Sequence, residues 1–215
     1  MVELVIFDCD GVLVDSERLA VRLEARLISE LGWPVTEADV VERFVGRSEE
    51  YMLGEIERMV GRPVPEWSQR YQSELRCSFE AELRAVDGIV DALDALTIPS
   101  CVASSGSLAK MQLTLGLTGL YERFDGRIFS ASQVARDKPA PDLFLLAAEQ
   151  LGVDPPGCVV VEDSASGVQA ARAAGMHCIA YAGGVTPADR LAGGDTTVID
   201  SMHQLVAALD TLAAR

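Results

Sequence analysis

Asp8 and Asp10 follow directly on a short apolar run, Val2 to Phe7, with Gly11 behind them, and they are the first residues in the chain equipped for chemistry. A β-branched run of that length closed by a glycine reads as a buried strand feeding a loop. Two carboxylates at the end of such a strand are costly to desolvate unless they meet a cation or a proton. A cap and an Asp-Gly turn would account for one acid more easily than for two. Three further polar clusters follow apolar runs: Ser104 with Ser105, Lys138, and Glu162 with Asp163. Carboxylates gathered in one place require a hard divalent cation, and Mg2+ takes few protein carboxylates beside phosphate and water oxygens. A serine hydroxyl and a lysine ammonium suit the remaining oxygens of a phosphoryl group. A carboxylate approaching a phosphate dianion to about 4 Å meets roughly 8 kcal/mol of repulsion at an effective dielectric of about 20. Mg2+ and Lys138 together offset that repulsion, which leaves Asp8 able to attack phosphorus as a carboxylate nucleophile.

The elements that must bring these clusters together alternate. Short apolar runs at Ser100–Ala103, Arg127–Ser130, Cys158–Val161, Cys178–Tyr181 and Thr196–Ile199 read as strands. Helical stretches separate them: Ile89–Leu96, Leu108–Leu115, Leu143–Leu151, Ala165–Ala174 and Met202–Leu212, with Asp142 expected to cap the third of these. Such alternation implies an α/β fold, a mostly parallel, doubly wound sheet of Rossmann type covered on both faces. In a parallel sheet the strand ends that carry function share one edge, so side chains remote in sequence converge there. Residues 16–82 break the pattern. Leu19, Leu23, Leu27 and Leu31 recur every fourth residue, Thr36 to Asp39 resembles a capping box, and further helices are expected from Ser48 to Val60 and from Glu66 to Leu83. The expected organisation is therefore a core of residues 1–15 and 83–215 with an inserted helical module, 16–82.

Composition narrows the partners. The net charge of −15 disfavours non-specific binding to nucleic acid or an anionic membrane. An anionic substrate must then be held by a local positive patch or a metal. No apolar stretch approaches the roughly 20 residues of a membrane span, and nothing resembles a signal peptide. Five scattered cysteines without CxxC spacing suit reduced, mostly buried thiols, and the chain reads as cytoplasmic, a monomer or small homo-oligomer acting on a small molecule. Neither of the two histidines, His177 and His203, has a catalytic neighbour in sequence.

Taken in order, Asp8-Cys9-Asp10-Gly11-Val12, Ser104 after Val102-Ala103, Lys138-Pro139 and Glu162-Asp163-Ser164 resemble the four motifs of the haloacid dehalogenase superfamily of phosphohydrolases. The resemblance covers essentially the whole chain and lies with the members that carry a helical cap after the first motif. It implies Asp8 as nucleophile and Mg2+ ligand. Asp10 is implied as the acid that protonates the leaving oxygen and later activates water, its backbone carbonyl also on the metal. Ser104, with Ser105 and Gly11 beside the phosphoryl group, would bind phosphate, Lys138 would neutralise it, and Asp163 would ligate Mg2+. Glu162 is a second ligand or an outer-shell partner. The second acid, Asp10, argues against dehalogenation. Sugar phosphomutases resembling β-phosphoglucomutase are the rival within the family, but Ala20 and Glu49 stand where those enzymes carry a cap histidine and arginine, which favours hydrolysis. Phosphatases of small sugar or sugar-acid phosphates resemble the chain most. A non-catalytic, phosphorylation-gated receiver is the rival of another class. Among cations able to face substrate (Arg18, Arg22, Arg43, Arg47 and Lys110), Arg47 beside Gly46 is the first choice.

Overall fold

Every apolar run that alternation marks as a strand becomes one. The computed structural model describes residues 1–47 and 49–214. Its sheet has six strands, β1 (Leu4–Phe7), β2 (Ser100–Ser104), β3 (Ile128–Ser130), β4 (Cys158–Glu162), β5 (His177–Tyr181) and β6 (Thr196–Ile199), in the order β3-β2-β1-β4-β5-β6. All neighbours are parallel. The order reverses at β1, the point at which a doubly wound sheet opens a crevice at its strand ends. β1 is buried along its whole length, as is β4. This explains runs without polar alternation: a strand covered on both faces has no solvent side.

By its internal contacts the chain divides into two units, Met1–Asp15 with Arg84–Arg215, and Ser16–Leu83. In the first, the chain leaves at Asp15 and returns at Arg84, whose carbonyl accepts the Asp15 N–H at 2.9 Å. An antiparallel bridge between Val14 and Ala85 and the bond from Val86 N–H to Leu13 O extend that seam. Exit and return are thus neighbours, so the sheet closes without spanning the insertion.

The helical unit contains α1 (Ser16–Glu30), α2 (Glu37–Arg43), α3 (Glu49–Val60) and α4 (Trp67–Glu82). Ser48, the expected start of α3, lies outside the described residues. Thr36 caps α2 with its hydroxyl on the Asp39 N–H while the Asp39 carboxylate accepts from the Thr36 N–H, the reciprocal box its sequence announces. On α1 the residues Leu19, Leu23, Leu27 and Ile28 are buried. Arg26 and Arg70 both pair with Glu30 and Glu74, tying α1 to α4 through a closed ring of four charges. These groups are a third to a half exposed, so solvent screens each pair and the ring adds little to stability.

The core unit adds α5 (Ile89–Ala95), α6 (Leu108–Leu117), α7 (Asp142–Leu151), α8 (Ala165–Ala173), α9 (Ala188–Leu191) and α10 (Leu205–Ala213). Two expectations change here. Asp142 does not cap α7: it is the first residue of the helix, and its carboxylate accepts both Arg136 guanidinium bonds, at 2.7 and 3.1 Å. The short α9 was not expected, because its four residues are too few to show a helical period. Among the described residues no helix is long and apolar enough to cross a membrane.

One buried charge in the helical unit makes stability depend on pH. Glu24 on α1 accepts the Tyr71 hydroxyl at 2.8 Å, and burial, against that bond and reinforced by Glu49, raises its carboxyl to about 7. A carboxyl whose folded value lies above its unfolded one stabilises the fold when protonated and loses that contribution as pH rises from the unfolded to the folded value. The window runs from the ordinary glutamate value of 4.5 to about 7 and corresponds to about 3 kcal/mol at most. Glutamine mimics the protonated acid and keeps an acceptor for Tyr71. Glu24→Gln is expected to match the wild type at pH 5 and to exceed it by about 1–2 kcal/mol at pH 8, measured by urea unfolding at both values.

Candidate active site

Strand register sets the depth of each functional group. Phe7 pairs with Val102 on one side and Val161 on the other, so the next residue, Asp8, is level with Ala103 of β2 and Glu162 of β4. The Asp8 N–H continues the ladder to Val161 O at 2.9 Å. At this level the Lys138 ammonium meets all three strands: Asp8 Oδ1 at 2.8 Å, Glu162 Oε1 at 2.8 Å and Ala103 O at 3.2 Å. Three donors thus find three acceptors, and the Phe144 ring lies 4.9 Å from the nitrogen. The side chain is only 4% exposed.

Burial raises the Asp8 carboxyl to about 6; the Lys138 charge pulls it down and the Glu162 charge pushes it back up. For Lys138 burial acts to lower the value, but Asp8 and Glu162 together overcome it and hold the ammonium above its ordinary range. Glu162 is fully buried and its other oxygen, Oε2, accepts the Ser164 N–H at 2.7 Å and hydroxyl at 2.8 Å. Two glycines make this packing possible. A Cβ at Gly167 would sit 1.7 Å from Glu162 Oε1, and one at Gly11, where φ is +74°, would sit 2.0 Å from Asp163 Oδ2.

Oxygens of Asp8, Glu162 and Asp163 all lie within 4.8 Å of one another, and the three residues are buried. One ammonium among three buried carboxylates leaves an excess of negative charge in a low-dielectric place. An all-oxygen donor set with that excess fits a hard divalent ion such as Mg2+. Asp8 and Asp163 are the side chains that would hold it, with Glu162, whose oxygens accept from Lys138 and Ser164, beside them.

Asp10 lies on the loop beyond β1, where Cys9 O accepts the Leu13 and Val14 N–H groups and the Gly11 N–H donates to Val14 O. The Gly11 amide is therefore already spent within the loop. Asp10 pairs through Oδ2 with Lys110 Nζ at 2.8 Å. Sequence reading placed Lys110 among the cations facing substrate and missed this pairing, because nothing in sequence joins residues 100 apart. The signal available was the Ser107 cap, which accepts the Lys110 N–H and so fixes Lys110 in the first turn of α6, just beyond the end of β2.

Ser104 ends β2, is buried, and its hydroxyl accepts the Gly106 N–H at 3.2 Å. The Ser105 hydroxyl is committed to Asp137 Oδ1 at 2.8 Å, the same oxygen that accepts the Lys138 N–H at 2.7 Å. Ser105 thus pins the lysine loop to the end of β2. Ser130, not expected from sequence, donates its buried hydroxyl to Gly106 O at 2.8 Å and so ties the end of β3 to the loop after β2. The structure brings Asp8, Asp10, Ser104, Lys138, Glu162 and Asp163 to one edge of the sheet. Arg47 belongs to the helical unit, where its guanidinium lies 5.5 Å from the Tyr51 ring centre. Cys9, between the acids, is fully buried with its sulfur 3.9 Å from the Thr114 hydroxyl, and burial first, then Asp10 and Asp8, hold its thiol well above the ordinary value. It packs and does not react.

Comparison with known proteins agrees with this arrangement. The sequence profile of the haloacid dehalogenase-like hydrolases matches residues 2–175. The 6-phosphogluconate phosphatase of Escherichia coli K12 is 35% identical over 178 residues, covering 82% of this chain and 80% of that protein. A haloacid dehalogenase-like protein from Agrobacterium tumefaciens superposes with a TM-score of 0.92 at 39% identity, over 99% of this chain and all of that one. A hydrolase of the same family from Deinococcus radiodurans, solved with bound phosphate and sodium, gives 0.83 at 28% identity, over 99% and 96%.

The ion triad generates a stability prediction. Lys138→Met leaves buried carboxylates without their cation, a loss of about 3–5 kcal/mol. In EDTA the deficit is expected to be largest at pH 8 and to shrink toward pH 5, where Asp8 carries its proton, and urea unfolding of both proteins at the two values measures it.

Proposed function

This chain belongs to the haloacid dehalogenase-like hydrolases, and we propose on that premise that it is a Mg2+-dependent phosphatase of a small phosphorylated metabolite, a sugar or sugar-acid phosphate. The observation that carries the reading is Asp8 held against Lys138 at 2.8 Å with Asp163 close by, a nucleophile and the charge to offset an incoming phosphate in one place. The names of its relatives support the substrate class: 6-phosphogluconate phosphatase of Escherichia coli and a phosphorylated carbohydrates phosphatase of Thermotoga maritima, the latter 34% identical.

A carboxylate oxygen of Asp8 attacks phosphorus in line with the ester bond. The P–O bond breaks, its electron pair goes to the leaving oxygen, and Asp10 gives that oxygen a proton. Asp10 then takes a proton from water, whose oxygen attacks the phosphorus of the aspartyl-phosphate, releasing inorganic phosphate and restoring Asp8. The Ser104 hydroxyl donates to a phosphoryl oxygen, and Lys138 balances the charge beside Asp8. Glu162 keeps Lys138 in place. Asp8, Asp163 and the Asp10 carbonyl would hold Mg2+, which when bound supplies positive charge to the phosphoryl oxygens.

A screen of phosphorylated sugars and sugar acids, with p-nitrophenyl phosphate as reference, tests the reading by release of inorganic phosphate. Turnover supports it, and a single stable phosphoryl transfer would favour a receiver instead. Asp8→Asn is expected to lower kcat by about 10³-fold or more, and a residual tenth of the rate would remove Asp8 as nucleophile. EDTA is expected to abolish turnover and Mg2+ to restore it.

A further inference from the structure

We infer that Lys110 is a positioning residue that, by holding one oxygen of the Asp10 carboxyl group, aims that group, protonated in the first step, at the leaving oxygen. The inference rests on the hydrolytic reading above and assigns a residue to it that none of the four motifs contains.

Lys110 has its backbone fixed at both ends. Its N–H goes to the capping hydroxyl of Ser107 at 3.2 Å, and its carbonyl accepts the Thr114 hydroxyl at 3.1 Å. The next residue, Met111, is fully buried and sets the rotation of α6. From that anchored turn the side chain runs past Gly106: a Cβ built there would lie 3.5 Å from Ser104 Oγ, 3.6 Å from Asp10 Oδ2 and 3.6 Å from Lys110 Cδ. Phosphate-binding hydroxyl, acid and lysine stem therefore surround one small space at the strand end. The ammonium closes on Asp10 Oδ2 at 2.8 Å.

Exposure separates this pair from an ordinary surface bridge. The Asp10 side chain is only 14% exposed, while that of Lys110 is 38% exposed. A surface bridge between two solvated groups leaves both mobile. Here the acid is largely enclosed and its cation reaches it from a capped helix, so the carboxylate plane has one favoured orientation. Orientation is what proton transfer demands, since an acid acts only within hydrogen-bond reach of the oxygen it serves. In the first step the Asp8 oxygen bonds to phosphorus as the ester P–O bond breaks, the electron pair stays on the leaving oxygen, and the Asp10 proton passes to it. Lys110 touches neither bond and acts through Asp10.

A pair of esters tests this. An alkyl leaving group needs the proton, whereas the p-nitrophenolate anion departs without it. In kcat/KM, which reports steps through loss of the leaving group, Lys110→Met is expected to cost about tenfold or more on a sugar phosphate that the wild type hydrolyses, 6-phosphogluconate being tried first. On p-nitrophenyl phosphate the cost is expected to stay below about threefold. The ratio of the two is independent of how much of the variant is folded, and Lys110→Arg is expected to recover most of the loss. An equal fall on both esters would overturn the inference and make Lys110 a phosphoryl contact or a structural residue. An unchanged rate on the sugar phosphate would also overturn it. A wild-type chain that hydrolyses neither ester would instead overturn the hydrolytic reading, and this inference with it.

Discussion

The Lys138 ammonium is the interaction on which the rest depends. It donates to Asp8, to Glu162 and to the Ala103 carbonyl, one acceptor from each of the three central strands at a single level of register. A point charge with three rotatable donors suits such a place. Removing it would leave buried carboxylates that repel one another with little water to screen them. The same contact would serve stability and chemistry: the cation that lets Asp8 and Glu162 share a buried crevice is the one that, in the proposed reaction, offsets a phosphate dianion. With a net charge of −15, attraction for an anion depends on local positive charge such as the Lys138 ammonium supplies at this edge.

The ammonium can hold that position because the surrounding backbone gives way to the carboxylates. At Gly167 and Gly11 a Cβ would fall within 2.0 Å of an oxygen of Glu162 and Asp163, distances no flexible side chain could relieve when the acid itself is pinned. At Gly183 a Cβ would meet Asp200 O at 2.4 Å, so the loop after β5 folds tightly beside the same edge. Neighbouring Gly184 lies with its Cβ direction 3.6 Å from Asp163 Oδ2. At Gly167 and Gly11 the absence of a side chain is a packing requirement of the acids, and the left-handed conformation of Gly11 adds a backbone reason to it.

Much of this was legible in the chain. All six strands announced themselves as apolar runs because a sheet covered on both faces leaves no polar face to blur the pattern. Three of the motif clusters were legible because each sits at the end of such a run, and a parallel sheet sends those ends to one edge; Lys138 lies farther on, in the polar loop between β3 and α7. What escaped was contact between side chains on different loops. Ser130 bonding to Gly106 O, Ser105 bonding to Asp137, and Lys110 bonding to Asp10 leave no periodic trace. Asp142 was misread for a related reason: an acid at a helix start suits a cap, yet Arg136, six residues earlier, offered two charge-assisted bonds. The close approach behind Gly167 was invisible as well, since a glycine near a helix start carries no label for what lies opposite.

The pair that opens the chain ends in two different environments, and this division is what makes it useful. Two residues apart, Asp8 and Asp10 would compete for one cation if both pointed into the same crevice. The loop through Cys9 and Gly11 sends Asp8 inward to Lys138 and carries Asp10 to a partly open rim where Lys110 meets it. Two carboxylates with separate cations and separate exposure can hold different protonation roles on the same substrate, one bonding to phosphorus and the other serving the oxygen that departs. Cys9 between them is fully buried, with its sulfur against the Thr114 hydroxyl, and serves as a small packing group. The division is therefore written into a two-residue spacing, but it becomes chemistry only because two distant lysines, one on the loop after β3 and one on α6, each meet one of the acids.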